Sequence, residues 1–298
     1  MMYTDVSRGR NMAKDPAVVF FQGKYYMYYS AAPGLDGDGG WDIGIAVSHD
    51  LEHWEKVCDI AREGEWELGG ICAPGALVYD GKVHIFYQTY GDWLHAAICH
   101  AYSEDGIHFI RNQTNPIVRA EGDWNNHRAI DADVVEFQGM LYLYFATRDP
   151  KGEIQFQGVT RCPLDGIFAR ENWQQCCTEP ILKPELSWEQ QCIEAAATIV
   201  QDGKVYMFYA GAYNNCPQQI GVAVSEDGIH FSRLMDHPFL PCGKPGEWNA
   251  SESGHPYVFR DLDNRIYLFF QGNNDNGQSW YLSKTEIGFC HGMPYIIG

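Results

Sequence analysis

The sequence predicts an all-β chain, a five-bladed β-propeller with four antiparallel strands in each blade. Three observations carry that prediction. A two-strand unit opening on a distinctive residue recurs five times. A third strand, a turn and an aromatic residue follow it in at least three of the copies, and a tryptophan stands six or seven residues ahead of four of the openings. Repeats of roughly 60 residues override any domain count based on length, because each copy needs its neighbours to bury its faces. The 298 residues are therefore read as one domain over 1–298.

The first unit opens at Lys14-Asp15-Pro16, runs through apolar residues to Phe21, turns at Gln22-Gly23 and returns as the aromatic strand Tyr25 to Tyr29. β-branched and aromatic residues on either side of a two-residue turn ending in glycine are a hairpin signal. The second unit opens at Ala73 and turns at Asp80-Gly81. The third opens at Asp131 and turns at Gln138-Gly139, and the fourth opens at Glu194 and turns at Asp202-Gly203. The fifth opens at His255. Positions 15, 73, 131, 194 and 255 are taken as equivalent, with steps of 58, 58, 63 and 61.

The third strand of the first copy is Ile43 to Ser48, and its fourth begins at Trp54. Residues 99–106 before Phe109 and 221–228 before Phe231 are the counterparts. In the fifth copy the third strand begins at Trp280, and either the N-terminal segment or the tail must close the ring. Trp66, Trp124, Trp188 and Trp248 are expected to pack between units rather than to stack on a sugar. All five innermost strands run the same way, so their opening residues converge at one mouth of a central channel.

Composition narrows the function. A net charge of −18 argues against nucleic acid, whose binding relies on clustered Lys and Arg, and is compatible with a neutral sugar. No apolar run is long enough to span a membrane, and no leader is visible. The ten cysteines form no CxxC pair and no zinc spacing. With no leader, a reducing cytoplasm is the expected location, unless a leader has been removed.

Three of the five converging positions are acids: Asp15, Asp131 and Glu194. Crowded carboxylates disfavour one another's ionisation, a cost that points to a task. Glycoside cleavage needs such a set, one carboxyl to protonate the leaving oxygen and one carboxylate to activate water or attack carbon. Glu194 has apolar neighbours, Ile193 and Ala195 to Ala197, which favour the neutral acid. Lys14 is assigned to the opposite face by strand alternation. Asp133 shares a face with Asp131 and competes with it, but Asp131 is in step with the repeat. His127-Arg128 could approach a substrate hydroxyl but is read as a solvated loop, and Trp41 and Trp93 are read as sugar platforms, with packing as the alternative. Arg148-Asp149-Pro150 follows a second strand, the wrong place for a fructosidase motif. The Ser-Glu-Asp-Gly turns are structural.

These openings, from Lys14-Asp15-Pro16 through Cys72-Ala73-Pro74, Ile130-Asp131-Ala132 and Ile193-Glu194-Ala195, resemble those of glycoside hydrolase family 43 over essentially the whole chain. The resemblance implies a five-bladed propeller that cleaves arabinofuranosides or xylosides with inversion. By resemblance Asp15 is the general base, Asp131 the acid that tunes and orients, and Glu194 the general acid. It also places His255 near the substrate, approaching a calcium ion or a water in the channel; no cofactor is otherwise required. The chain departs from the family at Cys72, where a tryptophan is usual, and at Ala132 and Ala195-Ala196, where prolines are usual. The alternatives are a retaining fructosidase-like enzyme with Asp15 as nucleophile, an anhydrogalactosidase-type relative, a phosphorylase (for which no basic pocket is evident in the sequence) and a catalytically silent sugar-binding propeller.

Overall fold

The computed structural model describes residues 1–34, 40–92 and 95–297. Blade 1 consists of β1 (Lys14–Phe21), β2 (Lys24–Ala31), β3 (Asp42–Ser48) and β4 (Trp54–Ile60). Blade 2 consists of β5 (Ile71–Tyr79), β6 (Lys82–Thr89), β7 (Ile98–Ser103) and β8 (Ile110–Arg111). In blade 3 the strands are β9 (Ile130–Phe137), β10 (Met140–Arg148), β11 (Gln155–Pro163) and β12 (Gln174–Gln175). Blade 4 has β13 (Ile193–Gln201), β14 (Lys204–Gly211), β15 (Gln219–Ser225) and β16 (Ser232–Arg233). Blade 5 has β17 (Glu252–Arg260), β18 (Ile266–Asn273), β19 (Tyr281–Cys290) and β20 (Met293–Ile297). Each blade is a four-stranded antiparallel sheet in sequence order, the five-bladed β-propeller that the repeats predict.

The hairpins follow from their turn residues. Gln22-Gly23, Asp80-Gly81, Gln138-Gly139 and Asp202-Gly203 all have positive φ at both positions, the turn whose twist suits antiparallel strands. The aromatic second strands form the core. Tyr28, Tyr29, Tyr87, Tyr144, Phe145, Phe208 and Tyr209 are fully buried. The Tyr209 ring lies over Gly221 of β15, where an added Cβ would meet it at 2.4 Å, so the slot requires glycine. Phenol hydroxyls tie blade to blade: Tyr28 donates to the Gly106 carbonyl at 2.9 Å, and Tyr144 to that of Gly228 at 2.9 Å.

Both candidates for closing the ring contribute. The tail supplies β20, and Tyr3 and Met12 bridge to Leu282 and Trp280 beside β19. Three of the four tryptophans pack on an aromatic residue of the blade they lead into: Trp124 on Phe156, Trp188 on Tyr209 and Trp248 on Phe270. Trp66 differs and is 48% exposed.

One feature of the innermost strands decides the site. Each carries a β-bulge near its start, between Lys14 and Ala17 in β1 and between Glu194 and Ala197 in β13. The first bulged residue has φ between 40° and 52°, and it is Asp15, Ala73, Asp131, Ala195 or His255. The blade 4 counterpart of Asp15 and Asp131 is therefore Ala195. Glu194 stands one residue earlier, level with Lys14, Cys72 and Ile130. This corrects the equivalence of Glu194 with Asp15 read from the sequence. The physical reason is that a bulge suspends strand alternation, so two consecutive residues face the channel mouth. Among the described residues no helix is long and apolar enough to cross a membrane.

Candidate active site

The openings of the five blades meet in a solvent-open pocket of about 140 Å³, which Asp15, Asp131, Glu194 and His255 all line. The three acids singled out in the sequence are thus brought together.

Lys14 is there too, against the expectation that alternation would turn it away. The bulge at Asp15 explains the difference. Its ammonium donates to Asn214 Oδ1 at 3.0 Å, stands 4.0 Å from Asp15 Oδ1, and lies 4.4 Å from the centre of the Trp280 ring.

Asp15 and Asp131 are buried in opposite electrostatic settings. Burial alone would raise the pKa of Asp15, but the charges of His255 and Lys14 and a hydrogen bond from Ser30 hold it well below the usual carboxylate range. His255 Nδ1 is 3.0 Å from Asp15 Oδ1. Burial alone would lower the pKa of His255, but the Asp15 carboxylate raises it to about 8. The two form a buried ion pair. Asp131 is pushed up to about 7, by burial first and by the Glu194 charge second. Asp131 therefore keeps its proton near neutrality beside the Glu194 charge. An ionised carboxyl, Asp15, thus shares the pocket with a protonated one, Asp131, the division of labour that general acid–base catalysis needs.

The sign of these shifts yields a stability prediction. A carboxyl whose folded value is raised to about 7 costs stability progressively as pH rises from its unfolded value of about 3.9 through 7. Asp131→Asn removes that cost. The variant is expected to be more stable than the parent at pH 8, by at most about 4 kcal/mol, with no gain at pH 4. Denaturant melts at the two pH values check this. His255 works in the same direction: its contribution is complete below about 6.5 and is lost as pH rises through about 8.

Backbone amides of the bulges are held by side chains of the preceding blade. Ala73 N–H donates to Ser30 Oγ at 2.7 Å, Asp131 N–H to Gln88 Oε1 at 2.9 Å, and Asp15 N–H to Gln271 Oε1 at 3.0 Å. The last of these joins blade 5 back to blade 1. The signal for these groups in the sequence is a polar residue near the end of an otherwise aromatic second strand.

Trp41, read from the sequence as a sugar platform, lines the pocket, its ring 5.9 Å from that of Tyr90, a second aromatic wall residue with no distinguishing signal in the sequence. Trp93 lies outside the described residues. Cys72 stands in the wall where the resemblance expects tryptophan. Asp133 turns away from the pocket; its Oδ2 accepts from the Thr198 N–H at 2.7 Å and its hydroxyl at 2.5 Å, tying β9 to β13. Arg128, expected in a solvated loop, is instead 8% exposed, and its charge acts on both Asp131 and Glu194. Asp149 closes its own loop by accepting from Glu153 and Ile154.

The donor set around His255 does not fit a metal ion. Nδ1 is engaged by Asp15 Oδ1, the same oxygen that the Lys14 ammonium approaches at 4.0 Å, and the described residues hold no group of three or more His, Cys, Asp or Glu arranged as ligands. No step below passes through a metal.

Comparison with known proteins accords with this geometry. The family model for glycosyl hydrolases family 43 matches residues 8–287. A β-1,2-mannobiose phosphorylase of Thermoanaerobacter sp. (strain X514) is 33% identical over 34% of this chain and 37% of its own length. A β-xylosidase of Xylanibacter ruminicola is 26% identical over 52% of this chain and 48% of its own length. The match thus spans about half, or less, of the length of these two relatives. A solved structure of a thermostable family-43 glycoside hydrolase superposes with a TM-score of 0.77 at 21% identity, covering 99% of this chain and 96% of that one. At that identity the likeness speaks for the fold.

Proposed function

The chain belongs to glycosyl hydrolases family 43, and from that premise we propose that it is a glycosidase that cleaves a neutral arabinofuranoside- or xyloside-type glycoside by single displacement with inversion. The observation that carries the reading is the meeting of Asp15, Asp131 and Glu194 across one small pocket, with Asp15 held ionised and Asp131 protonated.

In this reading a sugar ring enters the pocket beside Trp41. Asp15 takes a proton from a water as the water oxygen forms its bond to the anomeric carbon. The bond from that carbon to the leaving oxygen breaks on the opposite face, and Glu194 delivers its proton to that oxygen. Asp131, protonated near neutrality, supplies the proton that Glu194 delivers, and the proton taken up by Asp15 returns to Asp131 through solvent. Lys14 and His255 keep Asp15 ionised until water binds. The rate is expected to fall as pH rises past about 7, where Asp131 loses its proton.

A second reading draws on the mannobiose phosphorylase among the relatives. Lys14 in the pocket, and Arg128 beside the acids, supply positive charge that phosphate could use. Asp15 argues against it, since an ionised carboxylate repels a phosphate nucleophile. A panel of 4-nitrophenyl glycosides (α-L-arabinofuranoside, β-D-xyloside, β-D-galactoside and β-D-mannoside) with and without 10 mM inorganic phosphate, an ordinary assay level of about that order, separates the two. Free sugar released from the first two at equal rates in both conditions supports hydrolysis. Turnover that requires phosphate and yields a glycosyl phosphate supports the second reading.

A further inference from the structure

We propose that Gln155 and Gln218 act as a pair of positioning residues for Glu194, and that Gln218 also sets the acid in register with the Asp15–His255 pair. The inference rests on reading Glu194 as the proton donor.

Each oxygen of the Glu194 carboxyl receives one amide donor: Oε2 is bonded by Gln155 Nε2, and Oε1 by Gln218 Nε2 at 2.6 Å. Both glutamines are buried, 1% and 0% exposed. Neither amide is free to turn over. Gln155 Oε1 accepts from Arg148 Nε at 2.9 Å, and a guanidinium can only donate, so the Gln155 NH₂ must face Glu194. Gln218 Oε1 accepts from the His255 N–H at 3.2 Å and from Asn214 Nδ2 at 3.2 Å, and its NH₂ also donates to the Ala212 carbonyl at 3.0 Å. The backbone N–H fixes the orientation of this amide in the same way.

The two supports come from different places. Gln155 begins β11 in blade 3, whereas Gln218 stands in the connection between β14 and β15 of blade 4 and reaches blade 5. Its oxygen holds the backbone of His255, the partner of Asp15, and its nitrogen holds Glu194. One side chain therefore spans from the base side of the pocket to the acid side. Blade 5 makes room for it. Gly254 occupies the position held by Lys14 in β1 and Glu194 in β13, and a Cβ there would lie 1.9 Å from Gln218 Oε1. A proton donor must keep its oxygen within a fraction of an ångström of the leaving atom, and a displacement of about 1 Å costs about 10²-fold. A carboxyl anchored at one oxygen only can still swing about its last torsion, whereas anchors at both oxygens prevent this.

Three variants test the proposal: Gln155→Met, Gln218→Met and Gly254→Ala. The last perturbs Gln218 from outside the machinery. Crystal structures of the variants are compared with that of the parent, and kcat/KM is measured on xylobiose and on 2,4-dinitrophenyl β-D-xyloside. The expected result is a Glu194 carboxyl displaced or spread over several rotamers. Xylobiose turnover should fall about 10- to 100-fold, while the dinitrophenyl glycoside, whose leaving group needs little proton assistance, changes less than about threefold. A Glu194 that keeps its place in all three crystals overturns the proposal whatever the substrate, as does an equal fall on both substrates with melting temperature preserved. Failure of the underlying reading looks different: Glu194 is released in the crystals, yet Glu194→Ala itself fails to distinguish the two leaving groups.

Discussion

Asp15→Ala is expected to lower kcat/KM by about 10²- to 10⁴-fold on every glycoside the enzyme accepts, activated or natural. Removing the base leaves the attacking water without a proton acceptor, and a better leaving group does not replace one. Asp15 is also the partner that keeps His255 charged, with Nδ1 at 3.0 Å, so the alanine variant should let that imidazole titrate at a lower pH. Asp15→Asn keeps the shape and removes the base, which separates catalytic loss from misfolding. Added azide, a nucleophile that needs no deprotonation, should restore turnover in the alanine variant and give a glycosyl azide of inverted configuration. No rescue, together with activity within about tenfold of the parent, would remove Asp15 from the base role.

Glu194→Ala should have an effect of similar size but a different pattern. On xylo- or arabino-oligosaccharides the loss is expected to be about 10²- to 10⁴-fold, because their alkoxide leaving groups need a proton. On dinitrophenyl glycosides, whose phenolate leaves unassisted, the variant should keep most of its activity and lose the alkaline fall in rate that loss of the Asp131 proton imposes. The same substitution leaves Asp131 without the neighbouring charge that helps push its carboxyl to about 7, so its titration should move toward ordinary carboxylate values. Equal losses on both substrate classes would count against Glu194 as proton donor.

Much of this architecture is legible in the sequence because a propeller repeats its instructions. The Gly-bearing hairpin turns, the aromatic second strands and the spacing of the openings each appear several times, so a weak local signal becomes a firm pattern. Asp15, Asp131 and Glu194 could be chosen on that basis. What alternation could not supply is the effect of the bulges. A strand read with a strict period of two turns Lys14 outward, whereas the positive φ at Asp15 leaves both residues facing the mouth. The same feature put Glu194 in the wrong register, because an acid one residue away from the true counterpart, Ala195, was the more conspicuous letter. The amides of Gln155 and Gln218 were invisible for another reason. Their partners lie 39 and 24 residues distant, one on another blade, and no local pattern distinguishes a buried glutamine from a solvated one. Arg128 was assigned to solvent on its loop sequence, although the packing of blade 3 buries it beside the acids.

The most direct measurement is the anomeric configuration of the first sugar released, followed by proton NMR during early turnover of 4-nitrophenyl β-D-xyloside or α-L-arabinofuranoside. An ionised base opposite a proton donor predicts that the anomer opposite to the substrate forms first and then mutarotates. First release of the anomer that matches the substrate would instead make Asp15 a nucleophile and contradict single displacement.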